Sequence, residues 1–213
     1  MSKRLWIYGA GGLGLEVLEL AHCCGYPDSR LGFLDDACTS ESTLEGCVVS
    51  PGLESEACIF KPEDEVIIAL GNPDLRAKLW ERLASRDITS PTLIAPTAVV
   101  SRNASIEPGC IVFHYGFISA LVHLAENAIL NAGVMVAHHG RVGRHSVIGP
   151  GTILLGNVTV GERTELGACS RVYPGQSLGD EATVGMGSCV FKDVESGATA
   201  AGNPARTFSQ KSS

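Results

Sequence analysis

The sequence predicts two domains in series: a small α/β unit, and behind it a parallel β-helix of three-sided coils. Three observations predict it. One aliphatic residue recurs every six positions from Val100 onward, a glycine-rich turn follows the first apolar strand, and only 6% of the 213 residues are aromatic although 45% are hydrophobic and 25 are glycine. Such a chain must fill its interior with small and branched aliphatic side chains, which favours a narrow, regular core. The patterns set boundaries at 1–90 for the α/β domain, 91–96 for a linker containing Pro91 and Pro96, 97–194 for the β-helix, and 195–213 for a tail that leaves the repeat.

In the first domain, RLWIYGAGGLG joins an apolar strand to a Gly-rich turn and then to a helical pattern at Leu15, Leu18, Glu19 and His22. Gly9, Gly11 and Gly14 satisfy GxGxxG, in which missing side chains let amides at a helix N-terminus approach a diphosphate. A second strand, Leu31 to Leu34, ends about twenty residues later in Asp35 and Asp36, where an acidic residue can hold a ribose hydroxyl. A third strand, Val66 to Leu70, runs into Gly71, and a helix from Pro73 to Ser85 opens on a proline suited to a first turn. An alternative is that these glycines only shape a turn and the aspartates only cap loops.

The repeat runs Val100, Ile106, Val112, Ile118, Leu124, Leu130, Val136, Val142, Ile148, Leu154, Val160, Leu166, Val172, Leu178, Val184 and Val190 without a polar member. A period of six suits neither an α-helix nor a hairpin array, but three short strands per triangular coil place one aliphatic inward on each side. Residues 18 apart then become vertical neighbours at about 4.8 Å. Small residues two positions earlier, among them Cys110, Ala128, Ser146, Thr152 and Ser188, suit tight corners.

The formal charge of −7 argues against a nucleic-acid partner, which would need clustered Lys and Arg. Eight cysteines without CxxC pairs give no disulfide framework or zinc motif and fit a reducing cytoplasm. The basic start and following apolar stretch are broken by glycine before reaching signal-peptide length, and no run spans a bilayer, so a cytoplasmic protein with no membrane partner is expected.

YGAGGLG at 8–14, FLDD at 33–36, ALGNPDLR at 69–76, AHHGRVG at 137–143 and AGNPAR at 201–206 together resemble the bacterial nucleotide-amino-sugar N-acetyltransferases and the sialic-acid O-acetyltransferase-like proteins grouped with them, the PglD/NeuD type. The resemblance implies a Rossmann-like nucleotide-sugar-binding domain, a left-handed β-helix of hexapeptide repeats, and a homotrimer with active sites between subunits. It implies acetyl-CoA as cosubstrate, no metal, and a nucleotide-linked amino sugar as acceptor. Nucleotide contacts carry over to Gly11, Gly12, Leu13, Asp35, Asp36 and Gly71, the general base to His138, and the coenzyme cleft to the backbone at Ala168 and Met186, with the AGNPAR turn near the coenzyme's nucleotide end. Leu13 stands where relatives often have His, and His139 where a related sequence has an acidic residue that could orient the base.

His138, two residues after inward Val136, is placed at an outward corner, and Gly156 falls one coil later, so the Gly156 N–H is an expected coenzyme contact and oxyanion donor. His139 either shares the work of His138 or leaves its orientation to another group. None of His114, His123, His138, His139 and His145 is 18 residues from another, which disfavours a metal cluster within one chain. No Cys or Ser sits in a His-paired motif, which points to direct transfer rather than an acyl-enzyme. The competing readings are O-acetylation of a sugar hydroxyl, a non-catalytic nucleotide-sugar-binding trimer, and a metal-dependent lyase using inter-subunit histidines.

Overall fold

A computed structural model describes residues 3–208 and divides into two compact units, Met1–Leu93 and Ile94–Ser213. Positions 1–2 and the last five positions of the predicted tail, 209–213, lie outside the described residues.

The first unit is an α/β sandwich in which β1 (Leu5–Tyr8) is entirely buried and pairs in parallel with β2 (Leu31–Asp35) on one side and β5 (Glu65–Ile68) on the other. Strands buried on both faces read as continuous apolar runs, as LWIY does. Helix α1 (Gly12–Cys23) follows β1, and α2 (Pro73–Ala84) follows β5. The Asn72 side chain accepts from Leu75 N (3.0 Å), so it caps α2 just before the proline of its first turn.

Two further strands, β3 (Ser42–Leu44) and β4 (Cys47–Pro51), escaped the sequence reading, which made β5 the third strand. They form an antiparallel hairpin beyond β2, giving the order β3-β4-β2-β1-β5. Its two turn residues, Glu45 and Gly46, have φ of 47° and 76°. Such a turn normally announces itself as Asn-Gly or Asp-Gly, and Glu at its first position hides the signal. The helices begin where expected, and β5 ends at Ile68, two residues short of the expected Leu70.

In the second unit, two-residue strands recur every six positions and stack 18 residues apart into three parallel sheets. One column reads Val100, Ile118, Val136, Leu154, Val172, Val190 in direct register. From Val112 onward every member of the six-residue register is buried, while Val100 and Ile106 in the first coil are half-buried. Each fully buried member contributes about 1.5–3 kcal/mol.

Nearly every turn of the chain requires a left-handed residue, with φ of 59° at Leu121, 57° at Asn127, 59° at His139 and 59° at Asn157. The small residues beneath the corners also bond: Ser146 Oγ donates to Gly161 O (2.7 Å), Thr152 Oγ1 to Gly167 O (3.1 Å) and Thr164 Oγ1 to Gly179 O (3.1 Å). These buried hydroxyls tie neighbouring coils together, and each spends its own donor on a carbonyl of the next coil. After Val190 the period stops, but Thr199–Gly202 still pairs in parallel with Thr183–Val184 and folds back on Ala205–Phe208 as an antiparallel hairpin. Among the described residues no helix is long and apolar enough to cross a membrane.

Candidate functional site

His138 and His139 occupy one corner of the β-helix, and both are exposed. The corner is possible because His139 adopts φ of 59°, a conformation in which His is enriched among non-glycine residues. Its N–H donates to Ala120 O (3.0 Å) in the coil before, while His138 O accepts from Asn157 N (2.9 Å) in the coil after. The two rings meet edge to face at 87°, with Nδ1 to Nδ1 at 3.1 Å.

Gly156 lies directly over the His138 ring. A Cβ at 156 would stand 2.5 Å from His138 Cε1 and 2.6 Å from Nε2, so only glycine admits the ring in this position. The Gly156 carbonyl accepts from Gly175 N (2.9 Å), whereas its N–H makes no hydrogen bond among the described residues. A ring nitrogen and an unspent amide are thereby held side by side, the pairing needed by a reaction that takes up a proton while negative charge grows on an oxygen.

In the α/β unit, a cavity of about 390 Å³ opens at the C-terminal ends of the strands, where α/β sheets bind ligands. It is lined by Tyr8, Gly9, Asp35, Asp36, Leu70, Leu75, Lys78, Leu79 and Arg82. Gly9 has φ of 112°, and a Cβ on Gly14 would stand 2.0 Å from Gly9 O, so these glycines serve the turn and the close seating of α1.

The aspartates are held, not free. Asp35 accepts from Ala10 N (2.8 Å) and Ala37 N (2.9 Å). Tyr8 Oη donates to Asp36 Oδ1 (2.6 Å), and Arg82 donates both to that phenol oxygen (2.6 Å) and to Asp36 Oδ2 (3.1 Å). Burial, then the bond to Asp36, holds the Tyr8 phenol protonated well above the usual tyrosine range, against the opposing pull of Arg82.

Comparison with known proteins gives these two sites a context. Residues 4–83 match the PglD N-terminal domain and residues 139–174 the bacterial transferase hexapeptide (six repeats). The acetyltransferase domain of PglB from Neisseria gonorrhoeae FA1090 superposes with a TM-score of 0.90 at 30% identity, over 97% of this chain and 100% of that one. The chain belongs to the PglD/NeuD-type hexapeptide acyltransferases.

A second member of this family, PerB from Caulobacter crescentus, solved in complex with CoA and GDP-perosamine, superposes with a TM-score of 0.88 at 28% identity over 98% of each chain. UDP-N-acetylbacillosamine N-acetyltransferase of Bacillus subtilis (strain 168) is 35% identical over 112 residues, 52% of this chain and 51% of the relative, so the match spans about half of that curated protein.

Against the family's expectations, the acyltransferase fold gathers some predicted residues and separates others. His138, His139 and Gly156 converge. Gly11 caps α1 and Gly12 and Leu13 open it, while Gly71 lies in the loop after β5, and none of the four lines the cavity that Asp35 and Asp36 share. Ala168 and Met186 stack in neighbouring coils, with Gly187 N donating to Ala168 O (2.9 Å), and Met186 is 79% exposed. They lie on a different corner column from His138, since 30 residues is not a whole number of coils. No group of three or more His, Cys, Asp or Glu is placed to hold a metal among the described residues.

Tyr8, Lys78 and Arg82 were missed by sequence reasoning. A signal did exist: Leu75, Lys78, Leu79 and Arg82 recur at three- and four-residue spacing, so one face of α2 carries them toward the strand ends.

Proposed function

We propose that this protein transfers the acetyl group of acetyl-CoA to the amino group of a nucleotide-linked amino-deoxysugar, UDP-linked, in surface-glycan or glycoprotein biosynthesis in the cytoplasm. The observation that carries the reading is His138 set against Gly156, a base beside an unspent amide. The sugar's uncharged amine attacks the thioester carbonyl while His138 Nε2 takes its proton, and the Gly156 N–H stabilises the oxyanion. Collapse expels the coenzyme thiolate, which receives a proton, and the acetyl group passes in one transfer without an acyl-enzyme.

PerB, solved with CoA and GDP-perosamine, supports the coenzyme and a nucleotide-linked amino sugar by kinship, and the UDP linkage rests on the likeness to UDP-N-acetylbacillosamine N-acetyltransferase of Bacillus subtilis. Asp35, Asp36 and the Gly-rich turn through Gly11, Gly12 and Leu13, with Gly71, form the nucleotide-sugar site of this reading, and Ala168 and Met186 line the coenzyme cleft. A homotrimer would complete that cleft, which agrees with an outward apolar column on one β-helix face: Val99, Phe117 and Met135, in register and 60%, 41% and 38% exposed.

Incubation with acetyl-CoA and a panel of UDP-, GDP- and dTDP-linked amino sugars, following free thiol, tests the proposal. UDP-linked amines should be acetylated, with N-acetyl product identified by mass spectrometry. Thiol release with none of them, or acetyl found on oxygen, would overturn it.

A further inference from the structure

The contact between His138 and His139 constrains the proton inventory of the corner. Two Nδ1 atoms 3.1 Å apart can share a hydrogen bond only if one carries a proton and the other offers a lone pair. Neither ring has another hydrogen-bond partner among the described residues. The nitrogen of His138 outside this contact, Nε2, is the one beside Gly156.

A base needs a lone pair at the working nitrogen, so His138 must carry its proton on Nδ1, and a free imidazole does not hold that tautomer unaided. We propose that His139 is a positioning residue which, as a neutral acceptor at Nδ1, locks His138 in the tautomer with Nε2 unprotonated. This rests on the reading of His138 as the base.

The alternative direction, His139 donating to His138, would put the remaining proton on His138 Nε2 and move the free lone pair to Nε2 of His139, whose atoms are not among those nearest Gly156. When His138 Nε2 accepts the amine's proton, the Nδ1–H···Nδ1 bond persists and the pair carries one positive charge. A second proton would place N–H groups on both facing nitrogens and break the contact. Around the pair stand the Gly156 backbone, the Ala120 carbonyl and the Asn157 N–H, none of them titratable, and no charged side chain is bonded to either ring among the described residues.

The left-handed backbone at 139 supplies clean variants, because Gly and Asn both tolerate that conformation. His139→Gly removes the acceptor and should lower kcat about tenfold or more with both KM values unchanged, since orientation of a general base is lost. His139→Asn, whose Oδ1 can accept, should recover most of kcat. His139→Asp should also recover it and move the acidic limb of the pH profile to higher pH than in the wild type, because a carboxylate favours the imidazolium.

Long-range 15N–1H correlation spectra of the resting trimer or monomer should find His138 protonated on Nδ1 and His139 on Nε2, with no turnover required. His138 protonated on Nε2, or His139→Gly matching the wild type in kcat and pH profile, would overturn the proposal. Wild-type turnover in His138→Ala would instead sink the base reading, while the tautomers still judge the lock by themselves.

Discussion

The two units bury their apolar side chains by different rules. In the β-helix the core is one repeated object: a Leu, Ile or Val per strand, stacked on its own kind every 18 residues, with small hydroxyls stitching the coils. In the α/β unit each buried group is singular. Trp6 donates Nε1–H to Asp64 Oδ2 (2.9 Å), and fully buried Arg76 donates to the carbonyls of Ile68 (2.6 Å) and Leu70 (3.2 Å). The difference separates stability from chemistry in one unit and fuses them in the other. His138 and Gly156 sit on a corner the aliphatic stack would support without them, whereas Tyr8, Asp36 and Arg82 are both wall of the cavity and part of what holds it.

The comparison would break most visibly at Gly156. Gly156→Ala places a Cβ where the His138 ring lies, and the exposed ring is free to swing into solvent, so the fold should survive while the proposed base leaves its place. Loss of a positioned general base costs about 10²–10⁴-fold in kcat. Activity should fall in that range with thermal stability within about 0.5 kcal/mol of the wild type. A large loss of stability would show that the corner is part of the core after all.

The converse change lies in the same column of coils. Leu154 is fully buried between Val136 and Val172, and Leu154→Ala should cost about 2–5 kcal/mol in denaturant unfolding. Turnover per folded molecule should remain near wild type, because the Leu154 side chain packs in the buried aliphatic stack while both corner histidines are exposed. A kcat that fell with stability would deny the separation.

Sequence legibility followed the same division. The β-helix, its register and the outward place of His138 could be read because a strict period turns spacing into geometry, and this also aligned Gly156 with His138. The hairpin at 42–51 could not, since its turn carries Glu45 in a left-handed conformation that composition does not announce. The partners of Asp36 were hidden for another reason: Tyr8 and Arg82 lie 28 and 46 positions away, and no local pattern links them. Nor could spacing foresee that His139 turns its Nδ1 to His138, since a side-chain rotamer at a corner has no period.

The smallest expected effect tests the fused half of the comparison. Tyr8→Phe removes one hydroxyl that bonds Asp36 and accepts from Arg82, and should cost about 0.5–1.5 kcal/mol near neutral pH. It should also raise KM for the sugar nucleotide and leave KM for acetyl-CoA unchanged, because Asp36 and Arg82 line the cavity and lose their common partner. The sign of the pH dependence follows from the raised ionisation of the phenol. The unfolded chain releases that proton near the usual value of about 10 while the folded one keeps it, so this part of the stability is whole below that pH and declines as pH rises above it. Tyr8→Phe should therefore flatten the alkaline fall of stability in urea titrations. An unchanged alkaline slope together with an unchanged KM would mean that the Tyr8–Asp36–Arg82 cluster neither holds the cavity nor shapes it for substrate.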